Sequence, residues 1–381
     1  MKKFFLFIIF YFSFICYVNC EDVLSLKAPS AILIESSTGK VLYEKEAHVK
    51  RSPASMTKMM TLLLTMEALE DGRIKLDDKV FISKKAASMG GTQIFVEENS
   101  YVSIETLLKG ICIASANDAS VALAEHIGGN LDRFVGMMND KARELGCKNT
   151  NFKNPHGLDE EGHYSSTYDM AIIARELIKY PYILKLTSTY EDNINVSGEN
   201  HWLVNTNKLI RFYSGIDGLK TGYTSKAMYC LTATMERNNM RLISVVMKED
   251  NKDNRSKDTI SLMEYGFSNY GSKNIYNKNS FYGYLVIENS NNRKIKYYLD
   301  RDVNLIVNKN VKDVNYTVDI KLDKVKAPIK KNSIVGKLLL NYDNKAYSYD
   351  LIVHEDVKKA SFFEVYKNLF KDIINGVRIR Y

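Results

Sequence analysis

The chain has 381 residues, 45% of them hydrophobic and 26% charged, a globular balance that excludes a disordered chain and allows two domains. A formal net charge of +8 is mild for this length and forms no Lys/Arg block, which argues against nucleic acid and fits weak attraction to anionic polymer or lipid. The 6 histidines include no H-E-x-x-H pair and the cysteines show no metal-ligand spacing, so no metal or cofactor is expected.

Lys2 and Lys3 precede the apolar run Phe4 to Val18, and the chain turns polar at Glu21. That layout predicts a secretory signal over residues 1–20, cleaved after Cys20, and hence an exported protein. Cys112, Cys147 and Cys230 then remain, and they read as buried free thiols.

Ala31–Glu35 and Val41–Glu44 flank Ser36-Ser37-Thr38-Gly39 and predict a β-hairpin. Pro53 is expected to open a long helix to about Glu70, apolar almost all round and therefore central and buried. Ile104–Ile111 and Ala119–Ile127 predict two short helices, joined by Ala114-Ser115-Ala116-Asn117-Asp118, and Asp169–Lys179 a third. From Gly218 the texture turns to strands: Lys220–Tyr223, Met228–Met235 and Arg241–Met247, with Asn238-Asn239 as a turn. A helix over Leu262–Phe267 closes this first domain, set at residues 21–272. Short alternating runs (Tyr316–Leu322, Ser333–Leu340, Tyr347–Val353) predict a small all-β domain over 275–355. The last stretch, 360–381, gathers Phe362, Phe363, Tyr366, Leu369, Phe370, Ile373, Ile374 and Val377 on one helical face, which predicts an amphipathic helix on a membrane surface.

Three short motifs carry chemistry. In Ser55-Met56-Thr57-Lys58, spacing of three puts a serine and a lysine on one helical face. Serine needs an adjacent base to attack, and lysine serves as one only when desolvation or a second cation lowers its pKa. Ser37-Thr38-Gly39-Lys40 matches the same pattern but sits in the hairpin turn, where an exposed serine is the bland reading. Ser115-Ala116-Asn117 offers a hydroxyl to relay a proton to a leaving amine and an amide to bind a substrate amide. Lys220-Thr221-Gly222, at a strand start, offers a fixed charge and a hydroxyl to a substrate carboxylate, and a glycine for close approach of a ligand backbone.

The order S-x-x-K, S-x-N, K-T-G, together with Asn154-Pro155-His156-Gly157-Leu158 and Asp217-Gly218-Leu219-Lys220-Thr221-Gly222-Tyr223-Thr224, resembles the low-molecular-weight penicillin-binding D-Ala-D-Ala carboxypeptidases over roughly residues 28–355. The resemblance implies an α/β (α+β) serine β-lactamase/D,D-transpeptidase-like fold with an antiparallel sheet. It implies a peptidoglycan pentapeptide substrate and covalent inhibition by β-lactams, at the outer face of the cytoplasmic membrane or in the cell-wall space. Carried over, Ser55 is the nucleophile, Lys58 the general base and Ser115 a third catalytic group. Asn117, Lys220, Thr221, Gly222 and Tyr223 bind substrate, and the Ser55 and Tyr223 N–H groups form the oxyanion hole. Ala116 and Met228 stand where glycine is usual in the family, and Lys208 is the nearest cation to Asn205-Thr206-Asn207. The alternatives are a D,D-endopeptidase of the same family and an inactive wall-binding homologue. His156 and His163 read as structural histidines beside the cleft.

Overall fold

The computed structural model describes residues 24–291, 294–311, 313–343, 345–364, 366 and 370. The expected signal, residues 1–20, and most of the expected helix over 360–381 lie outside them. Strands β1 (Ser30–Glu35) and β2 (Val41–Lys45) form the expected hairpin, closed by Glu35, whose carboxylate accepts the backbone N–H groups of Ser37 and Thr38 (both 2.8 Å). The Ser37 hydroxyl donates to the same carboxylate, and Lys40 pairs with Asp343 at 2.9 Å, so the rival S-x-x-K is occupied in turn and domain contacts.

Helix α1 (Lys58–Glu70) is buried on every side, as its all-round apolar sequence requires. It does not begin at Pro53. Ala54 has φ 46°, in the left-handed region, and Ala54–Thr57 form a 3₁₀ turn in which Met56 N–H donates to Pro53 O (3.1 Å). The helix predicted over Ile104–Ile111 is α2 (Ile104–Lys109), and the chain widens into a π turn over Gly110–Ala114 before α3 (Asn117–Gly128). Helix α4 (Leu131–Glu144), capped by Asn130, has no counterpart among the sequence expectations; α5 (Thr167–Leu177), capped by Ser166, does.

An antiparallel hairpin, β3 (Glu191–Val196) and β4 (Glu199–Val204), turns at Ser197-Gly198 and was also not expected. Strands β5 (Ile216–Thr224), β6 (Met228–Arg237) and β7 (Met240–Glu249) complete a five-stranded antiparallel sheet of order β2-β1-β7-β6-β5. Helix α6 (Lys252–Asn269) extends well before the predicted Leu262, because Asn251 caps it by accepting Asn254 N–H (2.8 Å).

Alternation along β7 divides two cores. Ile243, Val245 and Met247 face α1 and its neighbours, while Leu242 and Val246 face Leu262, Met263 and Phe267 of α6. A central strand covered on both faces explains the near-continuous apolar run. A second five-stranded antiparallel sheet (Phe281–Val286, Lys294–Leu299, Thr317–Leu322, Ile334–Tyr342 and Lys345–Val353) has its own core of Leu285, Ile295, Leu299, Leu338, Leu340, Leu351 and Val353.

Met228 opens β6 at φ 56°, a backbone state that suits glycine and strains a side-chain-bearing residue. The departure noted at Met228 is therefore a matter of backbone strain at the β5–β6 turn. Met228→Gly relieves about 1–2 kcal/mol of strain, partly offset by the entropy glycine adds to the unfolded chain. The expected outcome in differential scanning calorimetry is a melting temperature raised by about 1–4 °C, and lowered for the β-branched Met228→Val.

Candidate active site

The 3₁₀ turn brings residues three apart into line, and Lys58 Nζ lies 3.0 Å from Ser55 Oγ. Lys58 is fully buried. Its amine also donates to Asn117 Oδ1 and to His156 O, each at 2.7 Å. Those two acceptors have no proton to give, so two N–H bonds of the amine are committed to them. When the amine is neutral, its lone pair is left for the Ser55 hydroxyl. Burial, and then the charge on Lys220, push the Lys58 pKa well below the usual lysine range, against a smaller opposing pull from Asp118.

The same constraint shapes the loop that supplies His156 O. Gly157 has φ 88°, and a Cβ there would lie 1.9 Å from Ala54 O. Only glycine lets this loop turn against the nucleophile turn. Asn154 Oδ1 accepts Gly157 N–H (2.7 Å) and Thr61 Oγ1 donates to Pro155 O (2.7 Å), fixing the loop on α1.

Ser115 follows the π turn at φ 67°, ψ 33°, its carbonyl held by Thr92 Oγ1 (2.8 Å). Asn117 is buried; its N–H donates to Thr92 O (2.7 Å) and its Nδ2 to Gly90 O (2.7 Å), which orients Oδ1 toward Lys58. The Ala116 methyl is buried and faces Gly110, so it packs in the core.

Lys220, buried on β5, donates to Thr221 O (3.1 Å), and burial lowers its pKa to about 7. Thr221 Oγ1 donates to Thr206 Oγ1 (2.7 Å). A Cβ on Gly222 would meet Pro53 O at 2.8 Å and Ala54 Cβ at 3.2 Å. The glycine expected to admit a ligand backbone thus admits the protein's own nucleophile turn. Tyr223 is exposed at the rim, its ring 4.5 Å from that of Tyr229.

Ser55, Ser115, Asn117, Thr221, Gly222 and Tyr223 line one cleft of about 650 Å³; Lys58, bonded to Ser55 and Asn117, and Lys220 are buried and are not among its lining side chains. Lys208 lines it too, but the fold adds two cations that local spacing did not reveal, Lys252 and Arg255, from the first turn of α6. Arg255 is buried, its Nε–H has no hydrogen-bond partner among the described residues, and desolvation lowers its pKa. An unpaired guanidinium N–H beside a hydroxyl-lined cleft is suited to an incoming carboxylate. The Asn251 cap was the available signal, since it marks the start of the helix that delivers Arg255.

Cys112 and Cys230 are buried free thiols whose pKa is pushed up to about 12 by desolvation, so neither serves as a nucleophile here. His163 Nδ1 accepts Lys153 N–H (3.0 Å), leaving Nε2–H to donate to Thr57 Oγ1 (2.8 Å). Desolvation lowers His156 to about 3 and His163 to about 4.

A family model described as D-alanyl-D-alanine carboxypeptidase matches residues 18–251, and one described as the penicillin-binding protein 5 C-terminal domain matches residues 270–359. The chain is 46% identical over 353 residues to the D-alanyl-D-alanine carboxypeptidase DacF of Bacillus subtilis (strain 168), covering 92% of this chain and 90% of the relative. It resembles the crystal structure of penicillin binding protein 5 from Haemophilus influenzae with TM-score 0.70 and 33% identity, covering 88% of this chain and 98% of that one. Penicillin-Binding Protein D2 from Listeria monocytogenes in the ampicillin-bound form matches with TM-score 0.58 and 32% identity, over 64% of this chain and 99% of that one.

The two histidines yield a test. An unfolded histidine takes a proton near pH 6.5, whereas His156 and His163 stay neutral in the fold down to about 3 and about 4. The unfolded state then binds more protons as pH falls, so stability is expected to decline from about pH 6.5 to pH 4. Replacing His163 with Gln, which keeps a donor to Thr57, should flatten that slope in urea unfolding, and NMR should show neither ring titrating between about pH 5 and 8.

Proposed function

We infer the mechanism from one premise: this chain belongs to the D-alanyl-D-alanine carboxypeptidase family and is a serine-type D-Ala-D-Ala carboxypeptidase. The observation that carries the residue assignment is Lys58 Nζ, held by two proton-free acceptors and 3.0 Å from Ser55 Oγ. Neutral Lys58 takes the Ser55 proton as Oγ attacks the carbonyl between the two D-alanines of a peptidoglycan pentapeptide. The tetrahedral oxyanion is received by the N–H groups of Ser55 and Tyr223. Ser115 relays that proton from Lys58 to the departing D-alanine nitrogen; water then loses a proton to the neutral Lys58 as it attacks the Ser55 ester, and the same proton returns to Ser55 Oγ as the shortened peptide leaves. Lys220, Thr221 and Arg255 hold the terminal carboxylate, and Asn117 the peptide amide. β-Lactams enter the same site and acylate Ser55.

Peptidoglycan lies outside the cytoplasm, which supports reading residues 1–20 as an export signal, 21–272 and 275–355 as the two domains, and 360–381 as a membrane-surface helix. Among the described residues no helix is long and apolar enough to cross a membrane. Phe362 and Phe363 are 80% and 83% exposed, which supports an interfacial role. A protein truncated after Lys359 is expected to keep its melting temperature and lose liposome flotation; a large fall in melting temperature would make the segment structural.

Mass spectrometry of a disaccharide-pentapeptide after incubation with the mature protein tests the reaction, and loss of one alanine is expected. Cleavage of cross-linked dimers alone would make the enzyme an endopeptidase instead. Ser55→Ala should abolish labelling by a fluorescent penicillin and Ser37→Ala should leave it intact. Lys58→Arg keeps the charge but cannot surrender its proton, so acylation should fall roughly 10²–10⁴-fold. The wild-type acylation rate should climb with pH through the depressed Lys58 pKa, because the neutral amine is the base.

A further inference from the structure

The β3–β4 hairpin has two different faces. Ile194, Val196 and Leu203 are buried in the main core. The other face presents Glu191, Asn193, Asn195, Asn200 and Trp202, all exposed, with Trp202 at 66%. In register, Asn193 lies opposite Trp202 and Asn195 opposite Asn200. A large exposed ring amid exposed amides is not explained by folding, since burying it would favour stability and nothing of the hairpin covers it.

The position of this face is informative. Val204, two residues along β4 on the same face, lines the catalytic cleft, so Trp202 stands about 7 Å further out along the same surface. The strand runs on through Asn205 to Thr206, whose hydroxyl accepts from Thr221. The hairpin is held in place by the Lys109–Asp192 ion pair (2.9 Å) and by the Thr206 N–H bond to Ile113 O (3.1 Å). It is therefore a fixed outward extension of the cleft wall.

We propose that this face is a subsite for the N-acetylated sugar from which the stem peptide hangs, with Trp202 as the stacking platform and Asn193 and Asn200 as hydrogen-bonding partners. The inference rests on the peptidoglycan carboxypeptidase reading above. A pyranose ring has an apolar face of C–H groups that packs on an indole, and hydroxyl and acetamido groups at its edge that pair with carboxamides, which both donate and accept. The occupant is set by continuity with the cleft: a stem peptide bound with its D-Ala-D-Ala end at Ser55 must leave the site, and β4 is a wall that leads outward.

Trp202 is the chain's 1 tryptophan, so its fluorescence reports on this face alone. Titrating the mature Ser55→Ala protein with the peptide-free disaccharide N-acetylglucosaminyl-N-acetylmuramic acid is expected to give a saturable change in emission. In the active enzyme, the ratio of kcat/KM for disaccharide-pentapeptide over free pentapeptide should fall about tenfold on Trp202→Ala and recover in Trp202→Tyr. An unchanged ratio with no saturable emission change overturns the subsite, as does an emission change produced only by phospholipid vesicles. Failure of the carboxypeptidase reading would look different, since neither pentapeptide would then release D-alanine.

Discussion

An amine removed from water must either find compensating partners or give up its charge, and the buried Lys58 of this chain does both in part. Its three contacts come from three separate places in the sequence: the nucleophile turn, the start of α3, and the loop before Leu158. Each source is in turn fixed by something else. Asn117 is aimed by the Gly90 and Thr92 carbonyls, and the His156 carbonyl by a glycine that alone tolerates contact with Ala54. Remove the requirement to hold one neutral amine beside one hydroxyl, and no reason remains for the left-handed Ala54 or the π turn before Ser115. Both cost conformational energy, and both sit within a few residues of reacting groups.

Central placement of α1 follows from the same demand. A helix covered on one face only would leave the Lys58 side chain a route to water along its stem. Here the sheet lies on one side and α3 and α5 on others, so the amine is confined to its contacts with Ser55, Asn117 and His156. The apolar wrapping that stabilises the domain is thus also what lowers the lysine's proton affinity.

Much of this was legible in the chain, and for physical reasons. Near-continuous apolar runs read as strands, and β6 and β7 fall where the runs beginning at Met228 and Arg241 indicated, whereas β5 begins at Ile216, so Lys220-Thr221-Gly222 lies in the second half of a strand and not at its start. The continuous apolar run from Met59 reads as a core helix. What did not show was what depends on approach rather than pattern. No local signal says that Gly222 faces Pro53, or that Arg255 reaches the cleft from the first turn of α6. The polar first half of α6 lacks an apolar stripe and reads as loop, although its Asn251 cap is a recognisable start. The β3–β4 hairpin was overlooked because only Ile194, Val196 and Leu203 carry its buried face. Two S-x-x-K matches could be ranked by context, and the fold shows why context works: Ser37 spends its hydroxyl on the carboxylate of its own turn.

The electrostatics of the cleft couple binding to chemistry. Lys58, Lys220 and Arg255 all have proton affinities lowered chiefly by desolvation, and Cys112, which adjoins Lys220, stays a neutral thiol and supplies no counter-charge. The Arg255 charge opposes that on Lys220, and a ligand carboxylate relieves the repulsion. On the reading in which Lys220 takes the terminal carboxylate, the anion raises the Lys220 pKa from about 7 and so keeps that ammonium charged. A fully charged Lys220 in turn adds its field to burial, the larger cause, in lowering the Lys58 pKa. Occupancy by the proper terminus therefore strengthens the state of Lys58 that can accept the Ser55 proton. On that reading a ligand without a carboxylate lacks the contact that keeps Lys220 charged, so recognition of the terminus and the proton affinity of Lys58 are coupled through one buried ammonium.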